Sequence, residues 1–268
     1  MDATAYRTAE AEGGEFVSRA PQVEDERGHI RVEEPDLLVR EVSASEGYQR
    51  WAATYDLTPN PLLAREERYL LPLLSELKSR RVLDLACGTG RWLERVANRG
   101  SWAGIGIDYS SAMLRVAGQK NLLAGRLVLG TCENLPFCAE SFDLIVCSFA
   151  LGHVADLHRV LCELNRVAQI GADVFISDLH SDAHALGWRV GFRDVEASIQ
   201  IEMQGRSPLQ IVEAFSLAGF ECKSQLPLWL GEPERVFFTQ SGKSHLFDSA
   251  CLPPAIFVGH FRKIGQAQ

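Results

Sequence analysis

No apolar run in these 268 residues reaches the ~20 that a bilayer-spanning helix needs. The opening Met1-Asp2-Ala3-Thr4 lacks the basic-then-apolar order of a secretory signal. Both absences lead us to expect a cytoplasmic protein without membrane contact. The seven cysteines, at 87, 132, 138, 147, 162, 222 and 251, contain no Cys-x-x-Cys pair. That leaves buried, reduced thiols as the expectation, with no metal centre. An excess of basic charge is missing too, since the formal net charge is -8. Twelve acidic and five basic residues between Met1 and Glu46 account for -7 of it. The rest of the chain is nearly neutral and offers no basic footprint for phosphates, so nucleic acid is not an expected partner.

What is present is ordinary globular composition, 46% hydrophobic and 23% charged. Residues 1–44 show neither helical nor strand period and are expected to form an acidic, loosely ordered extension. A strand from His29 to Arg40 is the alternative there. Tyr48, Trp51, Ala52 and Tyr55 recur at helical spacing, and Pro59-Asn60-Pro61 breaks the chain before a second helical pattern from Leu62 to Lys78, kinked at Pro72. Residues 45–78 thus read as a helical segment, either plain core or a lid.

From Arg81 the pattern alternates strand and helix, as a parallel sheet requires. Strands are expected at Val82–Leu85, Ala103–Ile107, Leu127–Leu129, Phe142–Cys147 and Asp173–Ser177, with two last strands at Phe220–Leu226 and Ala255–Lys263. Helices are expected from Thr89 to Asn98, stopped by Gly100, then after Ser110 or Ser111, from Leu157 to Ala168, and after Ser207-Pro208. Residues 79–268 read as one α/β unit whose stretch at about 181–206 is longer than a crossover needs.

The first strand ends in Asp84-Leu85-Ala86-Cys87-Gly88-Thr89-Gly90-Arg91. A glycine-rich turn between strand and helix presents backbone N–H groups to a ligand. It lacks the third Gly of a dinucleotide fingerprint and the Lys of a Walker loop. The word resembles motif I of the class I S-adenosylmethionine (SAM) dependent methyltransferases, usually Leu-Asp-x-Gly-Cys-Gly-Thr-Gly, in the small-molecule branch that contains ubiquinone and menaquinone methyltransferases. Ala86 replaces the first Gly and is expected to have ordinary backbone angles. The resemblance extends to Leu135-Pro136-Phe137 and Ser141-Phe142-Asp143, and covers about Tyr48 to His180.

The resemblance implies a Rossmann-like α/β fold, a seven-stranded mostly parallel sheet with helices on both faces, and SAM as cofactor. It implies that Asp84, Ala86, Gly88 and Gly90 face the methionyl part, Asp84 meeting the ammonium or merely capping the turn. Asp108, 20 residues after Gly88, would accept hydrogen bonds from the ribose diol. Tyr109 and Met113 would flank the adenine, with Thr131, Cys132 and Glu133 at its edge; Thr131 stands where an Asp is usual. Ser148 and His153, after the fourth strand, fall beside the transferable methyl, and Tyr55 lies in the helical segment that often covers SAM in this family.

His153 is read as either a structural hydrogen-bonding group or a catalytic one. His180, at the end of the fifth strand, is the best base for a hydroxyl acceptor, with a capping role as its alternative. Asp178, His180, Asp182 and His184 lack the continuous helix that would make a zinc site. Aromatic walls from Tyr48, Tyr55, Trp188 and Phe192 favour a small organic acceptor. The expectation is therefore methyl transfer from SAM to a small molecule, at oxygen first and at carbon or nitrogen otherwise, by a monomer or homodimer. A SAM-binding partner or sensor without catalysis is the alternative.

Overall fold

The computed structural model describes residues 22–24, 30–32, 38–77, 81–97, 103–194 and 197–265. β1 (Gln22–Glu24) and β2 (Ile30–Val32) form an antiparallel pair. β3 (Leu38–Val42) leads into α1 (Ala44–Trp51), capped where the Ser43 hydroxyl accepts the Glu46 N–H at 3.2 Å. α2 (Pro61–Glu76) begins with Asn60 as its cap and a proline in its first turn, where no intrahelical bond is lost.

The sheet unit then runs β4 (Arg81–Leu85), α3 (Arg91–Ala97), β5 (Ala103–Asp108), α4 (Ser111–Ala117), β6 (Leu127–Leu129), β7 (Phe142–Ser148), α5 (Leu157–Val167) and β8 (Ala168–Leu179). α6 (Ser181–Ala185), β9 (Gly191–Arg193) and β10 (Ala197–Ile201) follow. α7 (Pro208–Leu217), β11 (Phe220–Leu228), α8 (Arg235–Gln240), α9 (Phe247–Ala250) and β12 (Ile256–Lys263) come last. Among the described residues no helix is long and apolar enough to cross a membrane.

Seven strands form one sheet in the order β11-β12-β8-β7-β4-β5-β6. β8, β7, β4, β5 and β6 are mutually parallel, and β12 lies antiparallel to both of its neighbours. Strand alternation sorts the core into two layers. Leu83, Leu85, Ile145, Cys147, Val174 and Ile176 pack under α5 and α7, whereas Val82, Leu144, Val146, Phe175 and Val258 pack with Leu70 and Leu74 of α2. This is the expected fold, with helices on both faces. The chain leaves β4 toward β5 and β6 and returns on the other side at β7, so the loops after β4 and β7 part and open a crevice at the carboxyl edge.

Three expectations change. Residues 38–42 do not belong to a loose extension: they form β3, parallel to β10, and Val42 packs with Ile199 and Ile201 against Trp51. The alternative strand from His29 to Arg40 overlaps β3 at residues 38–40; four of the five β3 residues are exposed, so no alternation marked its bounds. The stretch at 181–206 is itself structured, with α6, β9 and β10, and β8 is longer than the expected Asp173–Ser177 because Ala168 pairs with Phe142 past a register irregularity and Asp178 and Leu179 pair with Phe257 and Ile256 of β12. The expected helix end at Asn98 and stop at Gly100, and most of residues 1–44, lie outside the described residues.

Candidate active site

The crevice holds a cavity of about 340 Å3 lined from both its sides. Asp84, Ala86, Cys87, Gly88, Thr89 and Arg91 come from β4 and its turn, and Asp108, Tyr109 and Met113 from β5 and α4. Thr131, Cys132 and Glu133 close one end; Ser148, Phe149, Ala150, His153 and Val154 after β7 form the other, under Ala44, Ser45, Tyr48 and Tyr55.

The turn owes its shape to three left-handed residues, Ala86 (φ 54°), Gly88 (φ 54°) and Gly90 (φ 80°). Ala86 thus departs from the ordinary angles expected of it, and a side chain there costs of order 1–3 kcal/mol. Gly90 faces away from the cavity; a Cβ on it would lie 2.4 Å from Leu123 Cδ1, so glycine there serves close packing. Above Gly88 a Cβ would meet nothing within 4 Å, which leaves its backbone open to a ligand.

Two buried carboxylates flank the turn. Asp84 accepts the Leu93 N–H at 2.9 Å, and burial pushes its carboxyl up to about 7 against the pull of that bond and of Arg91. Asp108 accepts the Gly88 N–H and the Ser110 N–H, each at 2.8 Å. Burial raises its pKa, opposed by those same bonds. Each oxygen of Asp108 retains a lone pair for a further donor. Burial also pushes the Cys132 thiol and the Tyr55 phenol up to about 12, so both stay neutral.

At the other end the Tyr48 hydroxyl meets His153 Nε2 at 3.0 Å, while His153 Nδ1 meets the Glu202 carbonyl at 2.8 Å. A carbonyl only accepts, so Nδ1 carries the proton, and in the neutral imidazole Tyr48 donates to Nε2. Burial raises the Tyr48 pKa well above its ordinary value and keeps the phenol neutral.

The helical segment is tied to the turn by polar contacts that the sequence reading missed. Thr89 Oγ1 donates to Asp56 at 2.6 Å, and Lys120 pairs with Asp56 at 3.1 Å. Glu66 of α2, fully buried, accepts from Arg91, from Ser148 at 2.7 Å and from Ser177. The signal was there: Glu66 falls on the same helical stripe as Leu70 and Leu74, and a lone charge on a buried stripe implies a partner.

His180, expected as a base, does not line the cavity. It is buried at the end of β8, where Nδ1 accepts the Asp182 N–H at 3.2 Å as the cap of α6. Desolvation lowers its pKa, so it remains neutral. Asp178 is engaged by the Gly152 and Leu179 N–H groups at 2.6 and 2.8 Å. Trp188 and Phe192 are not acceptor walls: Trp188 packs on the α2 layer, and Phe192 stacks on Trp51 at 5.1 Å. Every other expected site residue except Gly90 is brought to the one cavity.

Residues 82–171 match the family described as Methyltransferase domain. The demethylmenaquinone methyltransferase of Thermobifida fusca is 35% identical over 153 residues, which is 54% of this chain and 64% of that protein. The ubiquinone biosynthesis O-methyltransferase of Hahella chejuensis is 36% identical over 159 residues, 56% of this chain and 64% of that protein. The chain thus spans less than two thirds of the length of these relatives. A SAM-dependent methyltransferase from Mesorhizobium loti superposes with a TM-score of 0.59 at 19% identity, over 76% of this chain and all of the other. The [4+2]-cyclase SpnF also superposes, with a TM-score of 0.55 at 18% identity over 84% of this chain and 100% of its own. Residues 82–171 carry a methyltransferase domain, and the superpositions show the fold that SAM-dependent methyltransferases share. The cyclase shares this fold, so the chemistry has to be argued from the site.

Proposed function

We propose that the protein transfers a methyl group from SAM to the hydroxyl oxygen of a small, uncharged organic acceptor. The observation that carries this reading is the joining, in one cavity, of the glycine turn with its two carboxylates and the Tyr48–His153 pair. The residues suit SAM chemically. Asp108 has acceptor capacity left for a diol, Asp84 stands ready for an ammonium, and the open backbone at Gly88 admits close approach. Tyr55, Tyr109, Met113 and the loop Thr131-Cys132-Glu133 supply the remaining walls, while Ala86 and Ser148 line the floor. The helices over 45–78 act as the lid.

Bound SAM supplies a methyl group already activated on sulfur. The protein's part is alignment and exclusion of water. Tyr48, whose proton is directed to His153, offers its oxygen lone pairs to the acceptor hydroxyl. As the acceptor oxygen takes the methyl group that bound SAM would supply, its proton would pass to the Tyr48 oxygen and the Tyr48 proton to His153 Nε2. The Glu202 carbonyl holds the opposite edge of the imidazole. Lining charges are Asp84, Asp108, Glu133 and Arg91, with Arg91 already paired to Glu66. Such a lining disfavours anionic acceptors. The relative named as a ubiquinone biosynthesis O-methyltransferase supports oxygen as the receiving atom, and the demethylmenaquinone methyltransferase supports a quinone-type acceptor.

The test is transfer of labelled methyl from SAM into a fractionated cell extract, with the Asp108→Ala protein as blank. Label in the organic-soluble fraction supports the reading and yields the product; label in protein or RNA overturns the substrate class. Tight S-adenosylhomocysteine (SAH) binding with no label in any fraction favours the non-catalytic SAM-binding alternative.

A further inference from the structure

The loop between β7 and α5 is strained. Phe149 holds a φ of 50°, a left-handed geometry that costs a bulky residue of order 1–3 kcal/mol and persists only where its surroundings over-determine it. Much of what holds the loop comes from outside it. Asp178 accepts the Gly152 N–H at 2.6 Å, and the Gly152 carbonyl accepts the Gln204 N–H. Arg206 spreads its guanidinium over three carbonyls, those of Leu151 at 2.8 Å, Val154 at 2.6 Å and Ala155 at 3.2 Å. A Cβ on Gly152 would stand 2.8 Å from Met203 Cε and 3.2 Å from Asp178 Oδ1, so residues 202–206 lie directly against the loop backbone.

We propose that Arg206 is a positioning residue for His153. By binding the carbonyls on both sides of His153, it keeps residues 202–206 in register with the loop and the Glu202 carbonyl opposite His153 Nδ1. That contact selects one tautomer. A neutral imidazole carries a single N–H, and in water a histidine side chain favours it on Nε2. A carbonyl at Nδ1 reverses the preference and leaves Nε2 free to accept from Tyr48. The task requires an arginine: its planar fork presents five N–H donors at fixed angles, whereas a lysine ammonium cannot span three separated carbonyls. The insertion at 181–206 thereby works from beneath the loop, and its last five residues set the protonation pattern of a group that faces the cavity.

The proposal rests on the reading above only in giving His153 a role toward the acceptor, and its test does not need an acceptor. The full chain, labelled with 15N-histidine, is examined by long-range 1H–15N spectra, with His153→Gln identifying the His153 resonances. The wild-type protein is expected to show protonated Nδ1 and unprotonated Nε2. Arg206→Gln is expected to lose that pattern and shift His153 toward the Nε2–H form or a mixture, with SAH affinity unchanged. Arg206→Lys is expected not to restore it.

An arginine that serves only stability would lower the melting temperature and leave the tautomer in place, which overturns the proposal. An Nε2–H tautomer in the wild-type protein overturns it without any variant. Failure of the methyl-transfer reading shows itself separately, as no label transferred by the wild-type protein, and failure of the role given to His153 as undiminished transfer by His153→Gln. Once an acceptor is identified, Arg206→Gln should lower turnover by up to about 100-fold without raising the KM for SAM.

Discussion

The two ends of the cavity are assembled on different length scales. At the glycine turn, Asp84, Gly88 and Asp108 lie within 25 residues of one another, on adjacent strands and the turn between them. At the acceptor end, Tyr48 and His153 are 105 residues apart, and His153 meets a carbonyl another 49 residues on. The first end is a local motif whose geometry follows from a strand, a turn and a neighbouring strand. The second exists only after the helical segment, the β7 loop and the insertion have converged. In the proposed reading the first end serves a cofactor shared by many enzymes, and the second receives the acceptor.

The largest effect should separate the ends most sharply. His153→Gln is expected to reduce turnover by about 100-fold to 10,000-fold, the range for loss of a proton acceptor. SAH affinity should stay unchanged, as measured by calorimetry. Tyr48→Phe should behave alike. A matching loss of SAH affinity in either variant would break the distinction.

Asp108→Ala attacks the other end. Two hydrogen bonds to a charged group are worth about 1.5–3 kcal/mol each, so SAH affinity should fall at least about 100-fold. Near-normal affinity in a variant whose circular dichroism is intact would sink the cofactor assignment.

Asp84 gives a smaller effect that depends on pH. Its pKa is raised from 3.8 to about 7 in the folded protein. The stability this group contributes is therefore fully present below 3.8 and lost as pH rises through about 7. A ligand ammonium prefers the ionised form, so SAH binding should release a proton at pH values below 7. Affinity should then fall by up to about tenfold per pH unit on the acid side. Calorimetry in buffers of different ionisation enthalpy measures the released proton, and Asp84→Asn should flatten the dependence. A flat profile in the wild-type protein would remove Asp84 from the ammonium site.

The smallest effect tests the turn itself. Ala86→Gly removes a left-handed alanine and should stabilise the fold by about 1 kcal/mol, after allowance for glycine's greater freedom when unfolded. In a chain of this size that is roughly 2–4 °C in thermal unfolding. An unchanged or lower melting temperature would mean that the methyl group's contacts outweigh the strain.

Fold class, most of the strands and the glycine turn were legible because each is written in a local code: alternating apolar strands, helix stops, a glycine turn, and an acid at the end of the next strand. The reading of Ala86 erred because replacing a glycine removes a side-chain-free position without removing the turn's need for a positive φ. β3 was held only as the alternative, and placed too early at His29 to Arg40, because its partner strand lies far along the chain and only Val42 is buried. His180 looked like a base because strand ends face the active edge of such sheets, yet its ring turns to cap α6. A histidine at the right edge has a choice of directions, and composition cannot make it. By itself the sequence determined the sheet, the turn and the carboxylates that flank it, since these follow from periodicity and backbone geometry over short spans. Only the tertiary structure decided that Glu66 would close on Arg91, that Tyr48 would meet His153, and that Arg206 would grip the loop between them. Those contacts depend on where distant segments come to rest, and no local preference encodes that.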